Sequence, residues 1–147
     1  MQLGKFTDYG LRVLVHLSAA APERVSVAKV AATFELSEHH LAKVCSRLVR
    51  GGFLVSERGR NGGLTLARDP SEIRLGAAVR CLSQDTALVE CFGSGPCSCR
   101  LLPMCGVKQP LAEAMTAFFA TLDRYTLADI SRNRAALRDL LGVEAGV

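Results

Sequence analysis

The chain has 147 residues, an apolar fraction of 49% and a formal net charge of +4. That is the size of one domain, or of a small one with an appendage, and it is apolar enough to build a core without covalent staples. Disulfides are therefore the weaker explanation of the six cysteines. Charge is unevenly placed: residues 1–80 hold twelve Lys and Arg against seven acidic residues, and residues 81–147 hold six against seven. The first half has the charge to meet a polyanion, and the second does not.

The apolar stretch from Leu11 to Ala21 invites comparison with a signal peptide, but Asp8 and Arg12 interrupt it. Phe6, Tyr9, Gly10, Val13, Leu14 and Leu17 fall on one helical stripe, which predicts an amphipathic helix over Lys5–Ala19 stopped at Ala21-Pro22. Leu11 and Val15 give that helix a second apolar face. Nothing else approaches membrane-spanning length, so a cytoplasmic protein is expected.

Ser26 reads as an N-cap, followed by Val27, Val30, Ala31 and Phe34 at the spacing of a short helix. A tight Glu35-Leu36 connection leads to a second capping residue, Ser37. The next helix, Glu38–Arg50, turns Leu41, Val44, Cys45 and Leu48 inward and shows His39, Lys43, Ser46, Arg47 and Arg50 on its other face. Two short helices so joined suggest a helix-turn-helix. A basic outer face on the second suits a recognition helix, with cations for phosphates and forked donors for guanine edges. The competing reading is an ordinary solvated basic face.

The next segment favours DNA. Phe53–Arg58 and Leu64–Ala67 read as strands around Gly59-Arg60-Asn61-Gly62-Gly63, whose Asn-Gly is a strong hairpin signal. Arg58 and Arg60 sit where they could enter a minor groove. From His39 to Arg68 there are six Lys and Arg and one acidic residue, Glu57. Helix, turn, helix and basic wing predict a winged helix-turn-helix. The residues expected on double-stranded DNA are Ser37, His39, His40, Lys43, Arg47, Arg50, Arg58, Arg60, Asn61 and Gly62.

After Pro70, a short helix over Ile73–Leu82 is expected to carry Cys81. Pro110 suits the first turn of a long helix whose stripe is Leu111, Ala114, Met115, Phe118 and Leu122, widened by Ala112 and Phe119. That is more apolar surface than one small domain covers, so pairing with a second copy is expected. Thr126 with Asp129 resembles a capping box for a last helix through Leu137, Leu140 and Leu141, ended by Gly142.

Between these helices lies CFGSGPCSCRLLPMC, from Cys91 to Cys105, with four of the six cysteines among glycines and prolines. Gly and Pro rule out a helix interior or a regular strand. A loop gathers thiols to bind a metal or one another. Zinc knuckles usually pair Cys-x-x-Cys, which does not occur here; a thiol switch needs a resolving partner; an iron–sulfur cluster suits wide, irregular spacing because its ligands leave from separate corners of a bulky core. Spacing leaves all three open. Cys45 and Cys81 read as buried apolar thiols and His16 as a core or interface residue. No nucleotide-binding glycine loop, acid–base set or second redox motif points to an enzyme.

Lys5-Phe6-Thr7-Asp8-Tyr9-Gly10-Leu11-Arg12, the wing Arg60-Asn61-Gly62-Gly63-Leu64, the Cys99-Arg100-Leu101-Leu102-Pro103-Met104-Cys105 run and Leu122–Asp129 resemble the nitric oxide-sensitive NsrR-type repressors. These are a branch of the winged-helix family that also contains IscR. The resemblance implies an iron–sulfur cluster on Cys91, Cys99 and Cys105, with Cys97 as the alternative middle ligand and Asp8 of the other subunit as the fourth. Three thiolates and a carboxylate fit 4Fe–4S, one ligand per iron, with 2Fe–2S as the alternative. A carboxylate in the first turn of a helix is also favourable with the helix dipole and needs no metal to explain it. IscR-type ligation would place a histidine where Lys108 stands.

The fold expected is mainly α with a small β-hairpin wing. It comprises a winged helix-turn-helix over residues 1–80, a cluster-binding loop region over 81–107, and a long dimerisation helix with a C-terminal helix over 108–147. The function implied is a homodimeric repressor that nitric oxide releases from operator DNA. The alternatives are a winged-helix regulator of iron–sulfur supply or oxidants, an iron–sulfur electron carrier, and a zinc-stabilised repressor.

Overall fold

The structure is a computed structural model and describes residues 3–83 and 87–143. Its first helix, α1 (Lys5–Ala20), is the central strut. Val13, Leu14, Leu17 and His16 lose all or nearly all solvent contact, and Ala21 N–H closes the last turn onto Leu17 O at 2.9 Å before Pro22.

Helix α2 (Val27–Thr33) begins where Ser26 Oγ accepts from Lys29 N, and α3 (Glu38–Arg50) where Ser37 Oγ accepts from His40 N. Each hydroxyl satisfies one of the donors that a helix start leaves without an internal partner. Glu35, between the two helices, has φ 53°, a left-handed conformation that makes the sharp turn. Val30, Leu41, Val44 and Leu48 pack against α1 in one core. Burying a side chain of that size contributes roughly 1.5–3 kcal/mol.

Strands β1 (Leu54–Glu57) and β2 (Gly63–Leu66) pair antiparallel, with Leu54 opposite Leu66 and Glu57 opposite Gly63. Strand β1 is shorter than the sequence suggests, leaving out Phe53 and Arg58, and β2 starts one residue early and ends one residue early; Phe53 and Leu54 are buried and anchor the hairpin base. The tip also differs from a two-residue Asn-Gly turn. Five residues, 58–62, span it, and the left-handed conformations fall on Gly59 (φ 110°) and Gly63 (φ 152°). Gly63 lies against Val25, whose N–H and C=O both bond Leu64, so the wing is stitched to the segment before α2.

A short 3₁₀ turn, Pro70–Glu72, precedes α4 (Leu75–Leu82). Ile73, expected in that helix, is instead an extended core residue; its carbonyl accepts from Leu127 N at 2.8 Å. Helix α5 (Lys108–Leu122) buries none of its residues within the chain.

The single last helix expected from Thr126 is two helices, α6 (Leu127–Ile130) and α7 (Arg134–Leu141). The Thr126–Asp129 capping box forms, and Gly142 closes α7 at φ 62°. The break has a tertiary cause. Ser131 is buried, and its hydroxyl bonds Leu127 O and Ser18 Oγ of α1, the latter at 2.8 Å. The chain then restarts as a helix under Asn133, whose side chain caps Ala136 N. Arg134 Nε donates to Ala19 O at 3.1 Å and Arg138 meets Glu23, so the C-terminal helices return to α1.

Candidate DNA interface and thiol loop

The basic face predicted for α3 is present. Ser37, His39, His40, Lys43, Ser46 and Arg50 are exposed, along one side of a helix whose opposite side is core. The two imidazoles lie 6.3 Å apart at the N-terminal turn. On the wing, Arg58, Arg60 and Asn61 are exposed at the tip. Arg24 holds that tip, with Nη2 2.7 Å from Glu57 Oε2 and Nη1 donating to Asn61 O at 3.3 Å. Gly62 has a different part: any Cβ there would collide with Glu57 O, so this glycine lets the turn close. A shallow groove of about 640 Å³ runs between α3 and the wing, lined by Ala42, Ser46, Val49, Arg50 and Ser56.

Arg47 stands apart from the other basic residues. It is half-buried on the seam between α3, α1 and α4, with its guanidinium 5.9 Å from the Phe6 ring centroid and Nη1 donating to Cys81 O at 3.4 Å. Local spacing places it on the outer face; the packing of α4 draws its side chain inward.

All six thiols are free. Cys45 is buried, and burial pushes its thiol up to about 11; Cys81 is half-buried and shifted the same way by the same cause. Both are protonated at neutral pH, which suits packing and not ligation. The other four lie on the loop between α4 and α5, where Cys99 is exposed and Cys91, Cys97 and Cys105 are half-buried. Cys91 sits in a 3₁₀ turn, Glu90–Phe92, and Cys105 ends another, Leu102–Met104. One clip joins the two ends of the loop's first half: Glu90 Oε1 accepts from Ser98 N at 2.9 Å and from Ser98 Oγ at 3.1 Å. The residue before Cys91 is thereby tied to the residue between Cys97 and Cys99.

Among the described residues, no three His, Cys, Asp or Glu side chains converge closely enough to hold one metal ion. Asp8, half-exposed in the first turn of α1, is engaged by Arg12, whose Nη2 lies 2.7 Å from Oδ2 and whose Nε donates to Oδ1 at 3.3 Å. Arg12 also stands 5.8 Å from the Phe34 ring at the end of α2. The i, i+4 spacing of Asp8 and Arg12 is legible in sequence; Arg24–Glu57 is not, being a contact across 33 residues. The donor set nonetheless suits an iron–sulfur group: several unpaired, solvent-reachable thiols on a loop with little regular structure to resist rearrangement.

Beside the loop, Arg80 staples α4 to α5, forking onto both Asp123 oxygens at 2.9 and 2.5 Å and lying 4.5 Å over Phe119. That pairing holds the Asp123 carboxyl below its usual range.

A buried helix-turn-helix with an exposed basic second helix and an anchored wing defines a winged-helix DNA-binding protein. The chain belongs to the Rrf2 family: the model described as "Iron-dependent Transcriptional regulator" matches residues 3–133. It is 45% identical to the HTH-type transcriptional regulator NsrR of Geobacillus kaustophilus over 147 residues, covering 99% of this chain and 100% of that protein. It is 42% identical to NsrR of Bacillus subtilis, over 96% and 97% of the two chains. Among solved structures, T. potens IscR superposes with TM-score 0.69 at 25% identity, over 90% of this chain and 88% of that one. CymR, described as the global cysteine regulator of B. subtilis, gives 0.66 at 25%, over 90% and 98%. The chain is thus a transcription regulator and not an enzyme. Among the described residues, no helix is long and apolar enough to cross a membrane.

Proposed function

We propose that this chain is a cytoplasmic, homodimeric repressor whose hold on operator DNA depends on an iron–sulfur cluster and is released by nitric oxide. The observation that carries the reading is the union, in one chain, of an exposed basic recognition face with a loop of four free thiols. The relatives named NsrR over the whole length support the same reading.

The work is divided among distinct residues. Ser37, His39, His40, Lys43 and Arg50 from α3, with Arg58, Arg60 and Asn61 from the wing, meet phosphates and base edges in adjacent grooves, while Gly62 shapes the wing tip. Cys91, Cys99 and Cys105 would hold the cluster, with Cys97 as a spare thiol beside Cys99 and Asp8 of the partner subunit as the fourth ligand. When bound, the cluster would supply iron open to nitric oxide, and the carboxylate, a harder donor than thiolate, would be the weakest of the four ligands. Without that bond Asp8 pairs with Arg12 of its own chain, and α1 is no longer tied to the partner's loop. Helix α5 supplies the subunit contact: Leu111, Met115, Phe118 and Leu122 are all left partly open by their own chain. Nearby, Leu101 and Met104, 66% and 91% exposed, add apolar surface for a second subunit to cover. One protein ligand per iron favours 4Fe–4S over 2Fe–2S.

The test is to reconstitute single-cysteine variants without oxygen, measuring iron, sulfide and visible absorption. Cys91→Ala, Cys99→Ala and Cys105→Ala should lose the visible band, and Cys97→Ala should keep it. A colourless wild type holding zinc would end the cluster reading, and a reversal between Cys97 and Cys99 would reassign the middle ligand.

A further inference from the structure

We infer that Arg47 is a positioning residue that carries the state of the cluster to the recognition helix, and is not primarily a DNA contact; this rests on the proposed cluster-dependent repression. Three observations converge on it. Its side chain points away from the exposed basic row into the seam, where Nη1 donates to Cys81 O at 3.4 Å. The link is returned, since the Cys81 thiol donates to Arg47 O at 3.8 Å. On the other flank the guanidinium lies 5.9 Å from the Phe6 ring centroid.

The partners of Arg47 adjoin the segments proposed to hold the cluster. Phe6 is two residues before Asp8, and Cys81 lies at the end of α4, where the chain leaves for the thiol loop. Those segments also meet directly: Thr7, 3% exposed, bonds Ser83 Oγ at 3.1 Å, and Gly10 packs against the Leu82 side chain. The seat is built into α3 as well. A Cβ on its C-cap, Gly51, would stand 2.5 Å from Cys81 Sγ, so glycine there is what lets α4 dock at this end of the helix.

A pull on Asp8 by the partner's cluster, and a pull on the loop by the subunit's own, therefore meet at one junction, and Arg47 is the α3 side chain in it. A cation held between a ring face and a carbonyl transmits a shift of either wall, because both contacts weaken steeply with distance. Lys43 and Arg50 are exposed on the outer face; Arg50 is close enough to Cys81 to act on it through its charge, whereas Arg47 bonds the Cys81 carbonyl directly.

The experiment measures operator affinity of the full-length protein with the cluster loaded and after its removal, for wild type, Arg47→Met and Phe6→Leu. Met keeps the aliphatic bulk of the seam and loses the guanidinium. Phe6→Leu breaks the same contact from α1, in a residue outside the DNA-reading face. The wild-type ratio of loaded to cluster-free affinity is expected at about a hundredfold, within the usual range of such coupling. Both variants should keep the wild-type visible spectrum and show a ratio below about threefold. If Arg47→Met weakens binding equally in both states and preserves the ratio, Arg47 is a phosphate contact and the inference fails. A preserved ratio in Phe6→Leu overturns it independently, including where Arg47→Met does not fold. A wild-type protein with no ratio at all removes the proposed cluster-dependent repression as well.

Discussion

Two regions of this chain are built to opposite rules. From Val13 to Leu82, and again at Leu127 and Val143, apolar side chains close into a core that the chain fills by itself. Among the described residues from 87 to 126 not one is buried, although this stretch holds Phe92, Leu101, Met104, Met115, Phe118 and Phe119. The DNA-reading body is stabilised from within, and the thiol loop and α5 leave apolar surface that their own chain does not cover. Under the proposed function this difference divides the work: a rigid body presents side chains to DNA, and a region that a cofactor and a second subunit would complete responds to their loss.

The comparison breaks most sharply at the thiols. Cys105→Ala should abolish the visible absorption entirely and leave the far-ultraviolet dichroism of the helices close to wild type; unfolding would mean that the loop is part of the core after all. Leu48→Ala, at a side chain with no exposure, should lower unfolding stability by about 2–5 kcal/mol in denaturant titration. Phe118→Ala, on α5, should instead shift the monomer–dimer equilibrium in sedimentation and leave the unfolding of the body nearly unchanged. Lys43→Ala should weaken DNA binding across sequences and reduce the slope of log affinity against log salt by about one phosphate contact.

Smaller effects sharpen the account of the caps. Ser26→Ala should cost about 1 kcal/mol through the lost bond to Lys29 N. Asp129 is held down to about 2 by Arg132 and by the Thr126 N–H and hydroxyl. Because the folded value lies below the unfolded value of roughly 3.9, its contribution is present above about pH 4 and is lost as pH falls toward 2. Asp129→Asn should flatten that part of the stability profile, and an unchanged acid limb would remove the cap from the account.

The DNA-reading body was legible in sequence because its signals are local. Ser37 and the Leu41–Val44–Leu48 stripe place α3 at Glu38–Arg50. Where tertiary contacts decide, the sequence misleads. Ser18, 113 residues away, helps interrupt the last helix at Ser131. Phe53 and Leu54 are buried and anchor the base of the hairpin in the core, and Arg24 fixes its tip from outside the wing. Arg47 looks like its basic neighbours by spacing, and only the docking of α4 separates it from them. The thiol loop was visible as a concentration of cysteines; its Glu90–Ser98 clip depends on backbone geometry that no periodicity announces.

The central claim is that the uncovered region governs the buried one, so that the cluster's state sets the hold on DNA. It is tested most directly by stepwise addition of nitric oxide to anaerobically purified protein, with visible absorption and operator binding monitored in the same sample. The account predicts that the absorption band and the DNA complex are lost together over the same range of nitric oxide. Loss of the band with operator binding undiminished would contradict it.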